Sequence, residues 1–204
     1  MKLTPIRHAQ SVSNAGGVTQ PHLTLPLTAH GHAQAEALSA ALDGPPTSVA
    51  VSRFVGAQQT ATPYCRRFNL NPRVDPDLDE FSLIDPTLIA GLDGEQRKPY
   101  VKAYWAEPDL RRRLGDDADT FAEFVERVRR FQNRMDTLTD GAVIFGHGIW
   151  LAMFSWLLPG RDVANQEEMR AFRAFQLELP MPNCAVFEAA RHGSRPWRME
   201  RVPR

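Results

Sequence analysis

The sequence predicts a layered α/β domain with a mostly parallel sheet, and three observations carry that prediction. Short apolar segments of strand length alternate with helical patterns through most of the chain. The apolar run Ala142–Phe145, bounded by Gly141 and Gly146, reads as a buried strand. The 204 residues are 43% hydrophobic and 24% charged, ordinary globular values. Such a chain buries about 70% of its unfolded surface and needs no disulfide or metal staples. One domain spanning residues 1–204 is expected.

Leu3–Ile6 is a short apolar segment before a polar loop, suited to a first strand. Thr28 opens a helix over Ala29–Leu42, with Ala35, Leu38, Ala41 and Leu42 at helical spacing; Gly44-Pro45-Pro46 stops it. Thr47–Val51 reads as a second strand, and about Phe54 to Phe68 as a helix interrupted at Pro63. Val74–Glu80 is an extended segment punctuated by prolines. Residues 86–115 break the rhythm with Gly91, Gly94, Pro99 and Pro108, and read as an insertion lying over one end of the sheet. Thr120 begins the clearest helix. Thr120-Phe121-Ala122-Glu123 fits a capping box, and one apolar stripe runs from Phe121 to Leu138. After the Ala142–Phe145 strand, a helix is expected from Ile149 to Leu158. Leu177–Leu179 and Ala185–Ala189 read as late strands, and His192-Gly193-Ser194 as a hairpin turn.

Charge narrows the function. The chain carries 24 basic and 24 acidic side chains, so no overall field attracts nucleic acid or an anionic membrane, and any anion recognition must be local. The basic residues are three Lys and 21 Arg, an excess that reads first as codon bias and second as suited to bidentate phosphate binding; composition does not choose between them. Cys65 and Cys184 have no metal-site spacing. No apolar run reaches transmembrane length and no signal-peptide pattern is visible, so a cytoplasmic protein is expected.

In an open α/β sheet, ligands bind where strands end and loops begin. The first strand ends in Arg7-His8-Ala9-Gln10-Ser11 with Asn14. The second ends in Ser52-Arg53, the third extended segment delivers Asp79-Glu80, and the last strong strand delivers Gly146-His147-Gly148. Four strand ends thus present two His, two Arg and a Glu, more than scattered surface polarity predicts.

With Leu27-Thr28, Gly31, Gln34-Ala35 and Gln59-Thr60-Ala61 in the same order, these motifs resemble the histidine phosphatase superfamily. The resemblance covers residue 3 to about 158. It implies a three-layer α/β/α, phosphoglycerate mutase-like fold, with the insertion partly helical and over the active site. It implies His8 as the nucleophile that becomes phosphohistidine, Arg7 as a fork on the phosphoryl oxygens, and His147 as a second donor beside them. Asn14 and the Gly148 backbone would add phosphate contacts. Glu80 would donate a proton to the leaving oxygen, with Asp79 as the fallback. Neither metal nor cofactor is expected.

One departure stands out. The family's second phosphate-binding arginine lies three residues before the Gln-Thr-Ala run, where this chain has Gly56. Arg53 stands one helical turn earlier and is expected to reach the vacated space. The expected reaction is phosphate monoester hydrolysis, on a phosphorylated small molecule or phosphoprotein. A phosphate-binding module weakened by Gly56 is the alternative. A mutase ranks lower, because Phe81-Ser82-Leu83 follows Glu80 in place of the mutases' Arg-x-Tyr-Gly. The basic and aromatic residues of the insertion (Arg97, Lys98, Lys102, Tyr100, Tyr104, Trp105) suit either a substrate contact or a solvated helix. The arginines near the end, from Arg191 to Arg204, read as solvated charge. The apolar Trp150–Leu158 stretch leaves room for a homodimer.

Overall fold

The computed structural model describes residues 1–193 and 195–203; Ser194 of the expected hairpin turn and Arg204 lie outside them. Among these residues six strands form one sheet: β1 (Lys2–Arg7), β2 (Val49–Val51), β3 (Arg73–Val74), β4 (Ala142–Gly146), β5 (Phe187–Ala190) and β6 (Arg198–Arg201). Their order is β3-β2-β4-β1-β5-β6. The first four run parallel, and β5 and β6 extend the sheet antiparallel. Six helices cover it: α1 (Ala29–Ala41), α2 (Val55–Arg67), α3 (Gly94–Ala106), α4 (Phe121–Asn133), α5 (Gly148–Leu157) and α6 (Gln166–Glu178). This is the three-layer arrangement expected.

Alternation along the strands explains the layers. Ala142 and Ile144 join one apolar cluster with Phe121, Phe131, Trp150 and Phe172 of α4, α5 and α6. Val143 and Phe145 join another with Leu38, Ala57 and Tyr64 of α1 and α2. Successive side chains of a strand point to opposite faces, so β4 is apolar throughout because both faces are covered.

The capping box at Thr120 is present: Thr120 Oγ1 accepts from the Glu123 amide at 3.2 Å, and Glu123 Oε2 from the Thr120 amide at 2.8 Å. The helix ends at Asn133, and Met135 and Leu138 continue the stripe in and after a 3-10 turn, Met135–Thr137.

Three expectations need correction. Helix α2 runs through Pro63 without interruption. The proline removes one backbone bond, but its ring is buried in the helix's covered face, which offsets the loss. Val74–Glu80 is a two-residue strand followed by a 3-10 turn, Pro76–Leu78, set by Asp75, whose side chain accepts from the Asp77 amide at 3.1 Å. Leu177 belongs to α6, not to a strand. That helix was missed because only Met169 and Phe172 of it are fully buried, too few to make a visible stripe. Most of Trp150–Leu158 is buried within the chain, with Ser155 and Trp156 partly exposed.

The insertion carries α3, opened by a second capping box between Asp93 and Gln96. It docks on the loop after β1: the Gly94 amide donates to Gly16 O at 2.9 Å. A Cβ on Gly94 would come within 2.8 Å of Gly16 Cα, so the approach requires glycine. Among the described residues no helix is long and apolar enough to cross a membrane.

Candidate active site

Strand register brings the two histidines together. Arg7 pairs with Gly146 across β1 and β4, so His8 and His147 both emerge one residue beyond the last pair. The His8 amide donates to Gly146 O at 2.9 Å, and the two rings lie 5.1 Å apart, edge to face. They open on a cavity of about 460 Å³ that Arg7, Asn14, Glu80 and Gly148 also line. The expected catalytic residues are therefore brought together at the C-terminal ends of the parallel strands.

His8 Nδ1 lies 2.7 Å from the Ala9 carbonyl. A carbonyl only accepts, so Nδ1 carries the hydrogen and Nε2 keeps a free lone pair. Burial, aided by the Arg7 charge, pulls the ring down to a pKa of about 4, so it is neutral at neutral pH. A neutral, oriented imidazole is a ready nucleophile.

Arg7 lies beside it, partly buried. One terminal nitrogen donates to the Met181 carbonyl, while Nε is buried with no hydrogen-bond partner. No carboxylate forms an ion pair with it among the described residues, and desolvation pulls its pKa down. An unanswered, partly buried guanidinium is costly in an empty site and well matched to an anion.

Glu80 caps the N-terminus of α5. Its Oε1 accepts from the Trp150 amide at 2.8 Å and the Phe81 amide at 3.0 Å; Oε2 accepts only from Ile149, at 2.9 Å. Burial nevertheless pushes its pKa up, outweighing these amides and Arg7. The carboxyl thus holds its proton to higher pH than an exposed Glu, and the less occupied Oε2 is where that proton fits.

His147 is held by a relay. Its Nε2 lies 2.8 Å from Ser52 Oγ, which donates to Asp79 Oδ1 at 2.8 Å. Burial, with His8 next in order, holds the ring well below the ordinary histidine pKa. Asp79, the fallback acid, is thereby occupied in orienting His147. Asn14 Oδ1 accepts from the Ser11 amide at 3.2 Å and from Asn183 Nδ2 at 3.0 Å, and Asn183 Nδ2 also donates to His8 O at 3.1 Å. Asn183 had no signal in the sequence, because only the fold brings it to β1.

Arg53 is not brought to this cavity. Its Nε ion-pairs with Asp79 Oδ2 at 2.6 Å, its backbone amide donates to Asp79 Oδ1 at 2.9 Å, and its side chain is half exposed. It lines a neighbouring cavity with Arg127 and Asp119 instead. The reason is local: Asp79 is nearer than the space before Gly56 and already carries a charge. Gly56 does line the catalytic cavity, and its ideal Cβ would stand 3.9 Å from His8 Nδ1. His22, which the sequence did not single out, also lines the cavity and stacks on Phe54 at 5.3 Å. Its position depends on how residues 16–26 fold, which no local pattern reveals.

Comparison with known proteins agrees with this geometry. Residues 3–177 match the family model of the histidine phosphatase superfamily (branch 1). The adenosylcobalamin/alpha-ribazole phosphatase of Salmonella typhimurium is 27% identical over 141 residues, 69% of each chain. The enzyme of that name from Escherichia coli is 29% identical over 136 residues, 66% of each. Among solved structures, a mycobacterial hydrolase superposes with a TM-score of 0.74 at 25% identity, covering 98% of this chain and 96% of that one. The alpha-ribazole phosphatase of Shigella flexneri gives a TM-score of 0.77 at 21% identity, covering 99% and 96%. With both strand-end histidines, the partly buried arginine and the helix-capping glutamate in one cavity, the chain belongs to the histidine phosphatase superfamily, branch 1, and is a phosphoric monoester hydrolase of that family.

Proposed function

We propose that the protein hydrolyses a phosphate monoester of a small molecule through a phosphohistidine on His8 Nε2. The observation that carries this is the partly buried Arg7, its Nε unpartnered, beside a neutral His8 whose Nε2 lone pair is free. In the first step Nε2 attacks phosphorus in line with the leaving oxygen. The P–N bond forms as the P–O bond breaks, and the Glu80 proton passes to the departing alkoxide. In the second step the Glu80 carboxylate takes a proton from water, the hydroxide attacks phosphorus, and His8 leaves with its lone pair restored. Arg7 and the α5 N-terminus at Gly148 stabilise the equatorial charge, with Asn14 on the opposite wall.

Gly56 reduces the positive charge of the site but leaves nucleophile, acid and one guanidinium in place. Turnover, rather than binding alone, is the reading this supports. The two cysteines are unpaired, which fits the reducing cytoplasm. The test is p-nitrophenyl phosphate hydrolysis with acid-stable and acid-labile phosphoenzyme assayed after quenching. An acid-labile phosphoenzyme that disappears in His8→Ala is expected; turnover persisting in that variant would overturn the mechanism.

A further inference from the structure

Leu177, at the end of α6, lines the catalytic cavity and also a second groove of about 590 Å³ between α3 and α6. Trp105 and Val101 supply apolar surface there. Arg97, Lys98, Lys102 and Arg173 supply four cations, and no carboxylate lines the groove among the described residues. Of the four, only Lys98 has an acidic partner, Glu95 at 2.6 Å. Arg97 donates to neutral oxygens alone: Gly17 O at 2.9 Å, Thr19 Oγ1 at 3.0 Å, Leu92 O at 3.3 Å and Ser13 Oγ at 3.1 Å. Arg173 lies 4.5 Å over the Trp105 ring and donates to the Gln176 side-chain oxygen. In the neighbouring cavity, by contrast, Arg53 is answered by Asp79 and Arg127 by Asp119. The groove is a local excess of positive charge with hydrogen-bonding capacity to spare.

The groove is joined to the reacting centre. Ser13 and Gln176, which hold Arg97 and Arg173, both line the catalytic cavity. Leu177, next to Gln176 on α6 and shared by both spaces, is 65% exposed although it is a leucine. A ligand running from one space to the other would cover it with its own apolar atoms.

We propose that this groove is a second anion subsite, taking a carboxylate or second phosphate borne by the substrate itself at the far end of an apolar leaving group. The assignment rests on the phosphatase reading above and names the class of substrate it serves. The Arg173 guanidinium, partly shielded by the Trp105 ring, holds an anion more strongly than a freely solvated one. The catalytic cavity itself offers only Arg7 as a cation, so the distal charge has nowhere else to be neutralised.

The experiment uses phosphate monoesters of straight-chain alcohols of graded length, each with and without a terminal carboxylate. Their kcat/KM is measured on the wild-type protein, and their affinity by calorimetry on His8→Ala. At a favoured chain length the carboxylate should raise both quantities about tenfold. That ratio should fall to about one in Lys102→Ala and in Arg173→Gln, a readout that a general folding defect would not move. A ratio near one at every length, or one retained in both variants, overturns the subsite. If acetate or inorganic phosphate added to the plain ester gives the same gain, the groove serves a separate anion and the assignment to substrate is wrong. Loss of p-nitrophenyl phosphate turnover in the wild type would sink the phosphatase reading, while the calorimetric ratio would still decide the subsite.

Discussion

Two strand ends of the same sheet handle an arginine in opposite ways. At the end of β1, Arg7 is partly buried, donates to a carbonyl and keeps Nε unpartnered. At the end of β2, Arg53 is half exposed and its charge is cancelled by Asp79 at 2.6 Å. Both stand at the ends of parallel strands, Arg7 expected on phosphate from its motif and Arg53 as the substitute for the arginine missing at Gly56. What separates them is a direct ion pair: Asp79 holds the Arg53 guanidinium, whereas Glu80 acts on Arg7 without pairing with it. An arginine paired with an acid is already neutralised and gains little by turning to a ligand, whereas an unpaired one carries a desolvation cost that an anion relieves.

The largest effect that would break this contrast is at His8, the nucleophile beside Arg7. His8→Ala should lower kcat by at least about 10³-fold, read as phosphate release. Next comes Arg7→Ala, expected to cost about 10²- to 10³-fold in kcat/KM, with little help from Arg53. Glu80→Gln should slow alkyl phosphates by about 10²-fold but p-nitrophenyl phosphate far less, since nitrophenolate leaves without a proton. The same pair of groups sets the pH profile. His8, with its pKa lowered to about 4, becomes protonated and inert only as pH falls through that value. Glu80, raised above its ordinary value, must be protonated to donate, so activity on alkyl phosphates falls as pH rises through its pKa. A rate that instead climbs steadily through neutral pH would contradict both assignments.

Smaller effects sharpen the comparison. An ideal Cβ at Gly56 meets nothing closer than 3.6 Å, so Gly56→Arg should fit and tighten inorganic phosphate binding by about 3- to 10-fold. A weaker phosphate affinity would mean the space before Gly56 is not next to the anion. Arg53→Ala should leave phosphate affinity within about twofold and cost about 1 kcal/mol of stability, because the Arg53 side of the pair is half exposed and buried Asp79 keeps its bonds from Ser52 Oγ and the residue-53 amide. Thermal denaturation and phosphate titration of this one variant check both.

The parallel sheet and the site at its strand ends were legible because each rests on local pattern: apolar runs, then Arg-His, Asp-Glu and Gly-His-Gly where the runs stop. The capping box at Thr120 was legible for the same reason. Arg53 was not, since its fate is decided by Asp79, 26 residues away in sequence and brought close by the 3-10 turn after β3. Helix α6 could have been found from its ends. Asn165 Oδ1 accepts from the Glu168 amide at 3.0 Å, and Asn-x-x-Glu is a start signal even where the apolar stripe is thin. The α3–α6 groove had three of its cations on view in the insertion, but Arg173 and Leu177 of its wall come from α6, which only the fold brings beside α3.

The Ser52 bridge has a consequence for proton traffic. Its hydroxyl has one hydrogen, and that goes to Asp79, so His147 must offer Nε2–H to the serine oxygen. A neutral His147 then has no hydrogen left on Nδ1. To act as a second donor to phosphate it must gain one, and the arriving dianion is what makes that favourable. Were His147 that donor, binding of a phosphate dianion would carry one proton into the site with it, and phosphate affinity would rise as pH falls.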